Sequence, residues 1–576
     1  MMTGREELAG EYLAKGYWEG LTVSQALDRA VDAFPERLAL VHGDQRITYK
    51  AMRLRAERLA SGFLGKGILP GDMVTVQMPN LPEFVYVHYA LAKIGAITLP
   101  AIPLYRRKEM AHILDFSHSV GYVAPSNYGG FDYLKMLDEM RPNLPGLRHV
   151  FVVGEPAPPG AHSIRDMLSG DEVDRAVHPY AEADRAVHPY ANSADSSLEG
   201  PASHDDIACL VITGGTTGHS KGVPRTHDEL LCHARSWAKV MGVTPDSNFL
   251  VMVPLTHVFG LVEGLYAPLT AGATLILMDR FEAADALRLI QQERVTQTLT
   301  VPALIVSLIH YPRLEDFDTS SLKAIITGGG PCPEEVIHQA RALLGCDIIS
   351  QYGMSEGTIS TTVLGDPPDV VSVTVGAPHC EGSELKIVDD ERRTMAGGEQ
   401  GELAFRGPTL FKGYFEDPAE TSASFDMEGW FYTGDLCFQD EWGNLHIVGR
   451  KKDTIKRGGE TIMPRELEEL LFTHPKIMAA AVVGMPDARL GERVCAYVVP
   501  NRDEEITLHE IVRFLKTKGV ATFKLPERLE LVDRLPITPP SKVQKNILKE
   551  DVARKLEAEG KDREVSHPRR MQPRTL

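Results

Sequence analysis

Strand-like and helix-like stretches alternate along most of this chain, and no other feature restricts its fold as strongly. "TVSQALDRAVDAF" (22–34) has helical spacing, "MVTVQMP" (73–79) reads as a strand, and "EFVYVHYALAKIG" (83–95) reads as a helix closed by Gly95. "GYVAPS" (121–126) and "HVFVVGE" (149–155) are strand-like again. The alternation resumes with "NFLVMVPL" (248–255), "TLILMD" (274–279), "TQTLTVPALIVSLI" (296–309) and "LKAIITGGG" (322–330). Strands alternating with helices predict an α/β fold of layered, largely parallel sheets.

Two regions depart from this rhythm. Residues 380–448 are β-rich, with "ELKIVDD", "GELAFRG" and "NLHIVGR" separated by turns. Residues 155–206 are rich in Pro, Ala, Asp, Glu, Ser and Gly and repeat "DRAVHPYA" at 174–181 and 184–191. One tandem copy does not build a solenoid, so this stretch reads as a surface loop lengthened by duplication. Past "GRKKDTIKRGGE" (449–460) comes a smaller α/β segment, with helices in "PRELEELLFTHP" and "TLHEIVRFLKTKG" and strands in "AAAVVGMP" and "RVCAYVVP". The expected organisation is a large N-terminal domain over 1–449, a small mobile α+β C-terminal domain over 450–560 and a polar tail over 561–576.

The 576 residues carry 61 Lys+Arg against 79 Asp+Glu, a net charge of −18. That balance argues against nucleic acid as the main partner, since a polyanion requires a basic face. The seven cysteines, at 209, 232, 332, 346, 380, 437 and 495, form no CxxC pair and read as reduced thiols. The first twenty residues show no apolar core of a secretory signal, and "LTVPALIVSLI" is too short to span a bilayer. The sequence therefore predicts a cytoplasmic protein; a monomer or a homodimer is expected, with nothing in the sequence choosing between them.

"ITGGTTGHSKG" (212–222) follows the apolar run "IACLV". Its glycines let backbone N–H groups approach an anion, Thr213, Thr216, Thr217 and Ser220 add hydroxyls, and Lys221 adds charge. It fits neither GxxxxGK[ST] nor GxGxxG, and alone it is as consistent with a flexible turn as with a phosphate site. Other segments decide between these. "QYGMSEG" (351–357) sets an aromatic ring, Tyr352, and a carboxylate, Glu356, on a glycine-bounded turn; a purine stacks on such a ring and such a carboxylate holds Mg2+. "WFYTGD" (430–435) ends in Asp435, which suits ribose hydroxyls, and Arg450 sits at the expected domain junction.

These motifs, in this order, resemble the acyl-adenylate-forming superfamily: acyl-CoA synthetases, aryl-acid–AMP ligases, peptide-synthetase adenylation domains and firefly luciferase. The resemblance spans about residues 17–556. "GYWEG", "NYGGFDY", "PRTHDEL" and "RGGE" look like segments of 2,3-dihydroxybenzoate–AMP ligases, and cyclohexane- or benzoate-type CoA ligases are similar. The resemblance implies ATP, Mg2+ and either CoA or the phosphopantetheine of an acyl or aryl carrier protein. It implies that Thr213, Gly214, Gly215, Thr216, Thr217, Gly218 and Lys221 surround the phosphates. Gly329, Gly330, Gln351, Tyr352, Gly353, Met354, Ser355, Asp435 and Arg450 complete the implied nucleotide site, with Glu356 and Thr217 toward the metal. In "PITPPSKVQK" (536–545), Lys542 matches the family's catalytic lysine, although Ser541 stands where the family usually has Gly; Lys545 is the rival. Lys452 matches the hinge, and Gly458, Gly459 and Glu460 the thiol channel.

His257 in "PLTHVFGLVEG" matches a residue at the acid pocket, with Val258, Phe259, Val262 and Gly328 as expected neighbours. Dihydroxybenzoate ligases carry Asn directly after that His; here it is Val258. Pockets that hydrogen-bond a hydroxyl select strongly for it, and apolar ones do not. The expected substrate is therefore a benzoate-like or alicyclic acid, or a medium-length acyl chain. Loading of a carrier protein stands beside transfer to CoA as the alternative.

Overall fold

The computed structural model describes residues 3–154, 157–169, 202–213, 221–330, 332–502, 504–538 and 542–566. Two large sheets organise its first part. In one, the strands run Lys221–Thr226, Ile207–Thr213, Ile97–Ala101, Met73–Gln77, Gly121–Pro125, His149–Val153 and His162–Ser163, all parallel except the first pair. In the other, Asp347–Met354, Ala324–Thr327, Gln297–Thr300, Asn248–Val251, Thr274–Leu277 and Leu38–His42 are parallel neighbours. Antiparallel strands extend both of its edges.

The parallel strands are apolar on both faces because both are covered. Phe249 and Val251 enter the core shared by the two sheets, whereas Leu250 and Met252 enter the core on the far side. Helices Val23–Ala33, Tyr49–Gly65, Pro82–Lys93 and His227–Val240 contribute to the shared core. Ala283–Gln292, Pro302–Ile309 and Glu334–Leu344 cover one outer face, and Arg107–Phe116 with Tyr133–Met140 the other. Local signals set the helix ends. Thr22 and Gln25, and Thr226 and Glu229, form capping boxes. The long apolar run at 296–309 divides at Pro302, which starts a helix because its missing N–H is not needed there.

Part of the expected surface loop belongs to the fold. Strand His162–Ser163 joins the edge of the first sheet, and Ile164, in helix Ile164–Ser169, is buried. The polar composition of the stretch hid this anchor. The repeat at 174–191 lies outside the described residues.

The antiparallel strands Glu384–Val388, Gly401–Arg406, Phe431–Gln439 and Leu445–Arg450 form the β-rich part. A new sheet starts at Ile455 and contains Glu460–Ile462, Ile455–Arg457, Gly491–Pro500, Ile477–Asp487 and Arg528–Leu531. Helices Pro464–Phe472 and Leu508–Thr517 pack on one face and Lys545–Ser566 on the other. That last helix runs into the expected polar tail; residues 567–576 lie outside the described ones. Among the described residues no helix is long and apolar enough to cross a membrane.

Candidate active site

Residues past the C-terminal ends of the parallel strands Asn248–Val251, Thr274–Leu277 and Ala324–Thr327 lie together, at the edge where open α/β sheets bind ligands. Asn80 laces this edge together. Its amide donates to the Val253 and Met278 carbonyls at 2.9 and 3.0 Å and accepts the Leu255 N–H at 2.8 Å. A side chain at Gly260 would start 2.1 Å from the Pro254 carbonyl oxygen, so only glycine lets the next helical turn lie against this segment. His257 caps that turn, its Nδ1 accepting the Phe259 N–H at 3.2 Å.

Val258 is 6% exposed and Val262 0%. Four residues apart on one helical face, both point into the central core. The expected pocket role of Val262 is thereby corrected, because it presents no surface. The accessible apolar wall is Phe259, whose ring lies 3.5 Å from where a Cβ of Gly328 would be. Gly329 follows with φ +80°, in the left-handed region that favours glycine.

The carboxylate of Asp435 gathers the expected nucleotide residues. Asp435 and Arg450 are paired across antiparallel strands, and Arg450 Nε lies 2.7 Å from Asp435 Oδ1. Tyr352 donates its hydroxyl to Asp435 Oδ2. Burial first, and then this carboxylate, push the Tyr352 phenol well above its ordinary range. A carboxylate offers about four lone-pair sites, so Asp435 retains acceptor capacity for ribose hydroxyls.

Glu356, on the following turn, accepts the Tyr414 hydroxyl at 2.8 Å. The Lys221 ammonium sits 4.6 Å from the centre of the Tyr414 ring and pairs with Glu420. Tyr414 and Glu420 thus join the site although their sequence context, "GYFEDPAET", carries no phosphate or metal pattern. Thr213 and Lys221 face each other across a hairpin, the Thr213 hydroxyl donating to the Lys221 carbonyl at 3.4 Å. Gly214, Gly215, Thr216, Thr217 and Gly218 lie outside the described residues.

The turn carrying Glu356 hangs on Arg225, a residue the sequence reading passed over. Arg225 is 0% exposed and donates to Glu229 at 3.1 Å and to the Ser355 and Thr409 carbonyls at 2.7 Å each. Gln351 acts from behind the site. Its side-chain carbonyl accepts the Trp237 indole N–H at 2.7 Å and its amide donates to Glu263, so the expected nucleotide contact of this side chain is corrected. Period-two alternation turns Gln351 inward and leaves Tyr352 half-buried beside it. Gly353 packs closely on Thr358 and Met354 enters the core edge, leaving Ser355 to contribute its anchored backbone.

Lys542 pairs with Thr538 in a short hairpin; its side chain lies outside what is described, as does Ser541. Its rival is otherwise engaged: Lys545 Nζ lies 2.7 Å from Glu468, whose carboxylate also accepts the Val482 N–H. Gly458 and Gly459, at φ +59° and +94°, form the tight turn before Glu460, and the Gly458 N–H donates to the Leu490 carbonyl at 2.8 Å. Lys452 lies in the single turn joining the two sheets, and its carbonyl accepts Lys549 Nζ at 3.4 Å.

The AMP-binding enzyme family model matches residues 27–415, and the AMP-binding enzyme C-terminal domain matches residues 466–542. The chain belongs to the AMP-binding enzyme family. Within this family it is 35% identical to the 2-hydroxy-7-methoxy-5-methyl-1-naphthoate–CoA ligase of Streptomyces carzinostaticus, over 96% of this chain and 97% of that one. It is 33% identical to the 2,3-dihydroxybenzoate–AMP ligase of Bacillus subtilis strain 168, again over 96% and 97%. The structure of ATP-bound MatB from Rhodopseudomonas palustris superposes with a TM-score of 0.79 at 27% identity, covering 92% of this chain and 99% of that one. As an acyl-adenylate-forming enzyme of this family the chain uses ATP and activates an acid.

Proposed function

We propose that the chain is an ATP-dependent acid–thiol ligase that forms an acyl-AMP from an aryl, alicyclic or medium-chain acid and passes the acyl group to CoA. The observation that carries this reading is the convergence of Lys221, Glu356, Tyr352, Asp435 and Arg450 beside the apolar wall of Phe259 and Gly328. In the first half-reaction a substrate carboxylate oxygen attacks the α-phosphorus of ATP. The bond to the β-phosphate oxygen breaks and pyrophosphate leaves. Charge grows around phosphorus, so the protein supplies cations and N–H donors rather than a nucleophile.

In this assignment Lys542 bridges carboxylate and α-phosphate, and Lys221 with the loop over 213–222 holds the leaving phosphates. Tyr352 covers the adenine and Asp435 the ribose. Mg2+ fits here, because it takes one or two carboxylates and keeps other positions for phosphates and water. The half-buried Glu356 carboxylate, oriented by Tyr414, is such a ligand, and the ion would neutralise phosphate charge. In the second half-reaction the thiol sulfur loses its proton, bonds to the acyl carbon and displaces AMP. The Gly458–Gly459 turn lines its approach after a rotation about Lys452.

The naphthoate–CoA ligase likeness supports an aryl acid and CoA. The likeness to the dihydroxybenzoate–AMP ligase favours a second reading, transfer to a carrier-protein thiol. Pyrophosphate release over a panel of acids, with and without CoA, tests both. Acid-dependent release followed by acyl-CoA formation is expected. Release that CoA never turns into thioester, while a carrier protein does, selects the second reading; no release with any acid sinks both.

A further inference from the structure

Two thiols face each other at a place that no step of acid activation uses. Cys232 lies on helix His227–Val240, and Cys380 lies 148 residues later, beyond strand Ala377–Pro378. Their sulfurs are 3.4 Å apart, and the two residues are 3% and 5% exposed. Ser236, one helical turn after Cys232, donates its hydroxyl to Cys380 Sγ at 3.3 Å. Tyr12 and Trp18 pack over the pair, and the Trp18 indole N–H is anchored to the Pro408 carbonyl at 2.9 Å. Among the described residues no other two cysteines have their sulfurs in contact.

We propose that Cys232 and Cys380 form a dithiol modification site, which a peroxide oxidises to a disulfide. The surroundings divide the roles. Hydrogen bonds from Cys232 above all, and also from Ser236, hold the Cys380 thiol below its ordinary range against the opposing effect of burial. Its contact with Cys380 and its burial push the Cys232 thiol up. The Ser236 hydroxyl donates to Cys380 Sγ and so favours a thiolate there; thiolate character decides which sulfur attacks first, so Cys380 is the nucleophile and Cys232 the resolving thiol.

The Cys380 sulfur attacks one peroxide oxygen, the O–O bond breaks, and the departing hydroxide takes up a proton as water. Cys232 then loses its proton and attacks the sulfenic sulfur; the S–O bond breaks and a second water leaves. Two thiols lose two electrons and one peroxide becomes two waters. A disulfide bond is about 2.05 Å long, so the sulfurs close by little more than about 1 Å. Such a bond ties the helix bearing His233 and Trp237 to the segment entering strand Glu384–Val388.

The test exposes the full chain to stoichiometric hydrogen peroxide and maps its peptides without reduction. The expected product is one cross-linked peptide pair containing Cys232 and Cys380, 2 Da lighter than the two thiol peptides, and reversed by dithiothreitol. Oxidised protein is expected to unfold at least about 2 °C higher, because the cross-link restricts the unfolded chain. Cys232→Ser should stop at a dimedone-reactive sulfenic acid on Cys380, and Cys380→Ser should slow oxidation of Cys232 at least about tenfold. Wild-type protein whose cysteines remain unlinked, or link elsewhere, overturns the proposal without recourse to any variant. Equal oxidation of Cys232 in Cys380→Ser overturns the division of roles.

Discussion

Replacing Arg225 by Met isolates what a buried cation does for the metal-side turn. The substitution keeps an apolar stem and removes three donors, to Glu229, the Ser355 carbonyl and the Thr409 carbonyl. Glu229 is left buried, and breaking such a pair from one side costs about 3–5 kcal/mol. For a body of this size that corresponds to a fall in Tm of about 3–10 °C. Burial already raises the Glu229 pKa, and Arg225 opposes the rise. Without the arginine the carboxyl stays protonated to higher pH, so the deficit should be smaller at pH 5 than at pH 8. In the double variant Arg225→Met/Glu229→Met no charge remains buried. Only the cap on the Thr226 N–H and the two carbonyl contacts are lost, leaving a deficit of about 1–3 kcal/mol. Thermal unfolding of parent, both single variants and the double, at pH 5 and pH 8, closes the cycle. Pyrophosphate release measured well below each Tm should fall in Arg225→Met, because Ser355 and Glu356 lose their anchor. An Arg225→Met protein that unfolds within about 1 °C of the parent, or single losses that simply add, would refute the coupling.

Three further outcomes follow from the geometry. Lys542→Ala should lower acyl-adenylate formation by about 10²–10³-fold while ATP binding by calorimetry persists, whereas Lys545→Ala should act through stability, since its ammonium is held by Glu468. His88 and His227, both buried, and the half-buried His379 have pKa values lowered by desolvation to about 3. Each supplies stability that is present above its unfolded value near 6.5 and lost as pH falls toward 3. Denaturant titrations should show a slope approaching about 1.4 kcal/mol per pH unit per histidine in that window, and His379→Phe should remove one share of it. Gly260→Ala should destabilise by at least about 2 kcal/mol in urea unfolding, because its Cβ meets the Pro254 carbonyl oxygen at 2.1 Å and neither backbone yields freely.

Several parts of the site were legible because their signals are short-range. Tyr352 and Glu356 stand on one glycine-bounded turn and Asp435 ends another. The direction in which Gln351 points was not legible from the motif alone, since it depends on Trp237 and Glu263, 114 and 88 residues away. Val262 was misread for a related reason: a residue matched to a pocket by its neighbours in sequence proved to be core by its neighbours in space. Among the described residues of 155–206, the buried Ile164, with Met167 and Leu168 packed beside it, outweighed a loop-like composition.

The sequence by itself determined the α/β class, the order of the sheets' building units, and which glycine-bounded turns carry ring and carboxylate. Those properties reside in periodicity and in contacts a few residues long. Only the tertiary structure decided that Arg225 holds the Glu356 turn, that Tyr414 and Glu420 join Lys221, that Lys545 is spent on Glu468, and that Cys232 meets Cys380. Most of these meetings bring together residues dozens to hundreds of positions apart on different elements, and no period or spacing in a single chain encodes them.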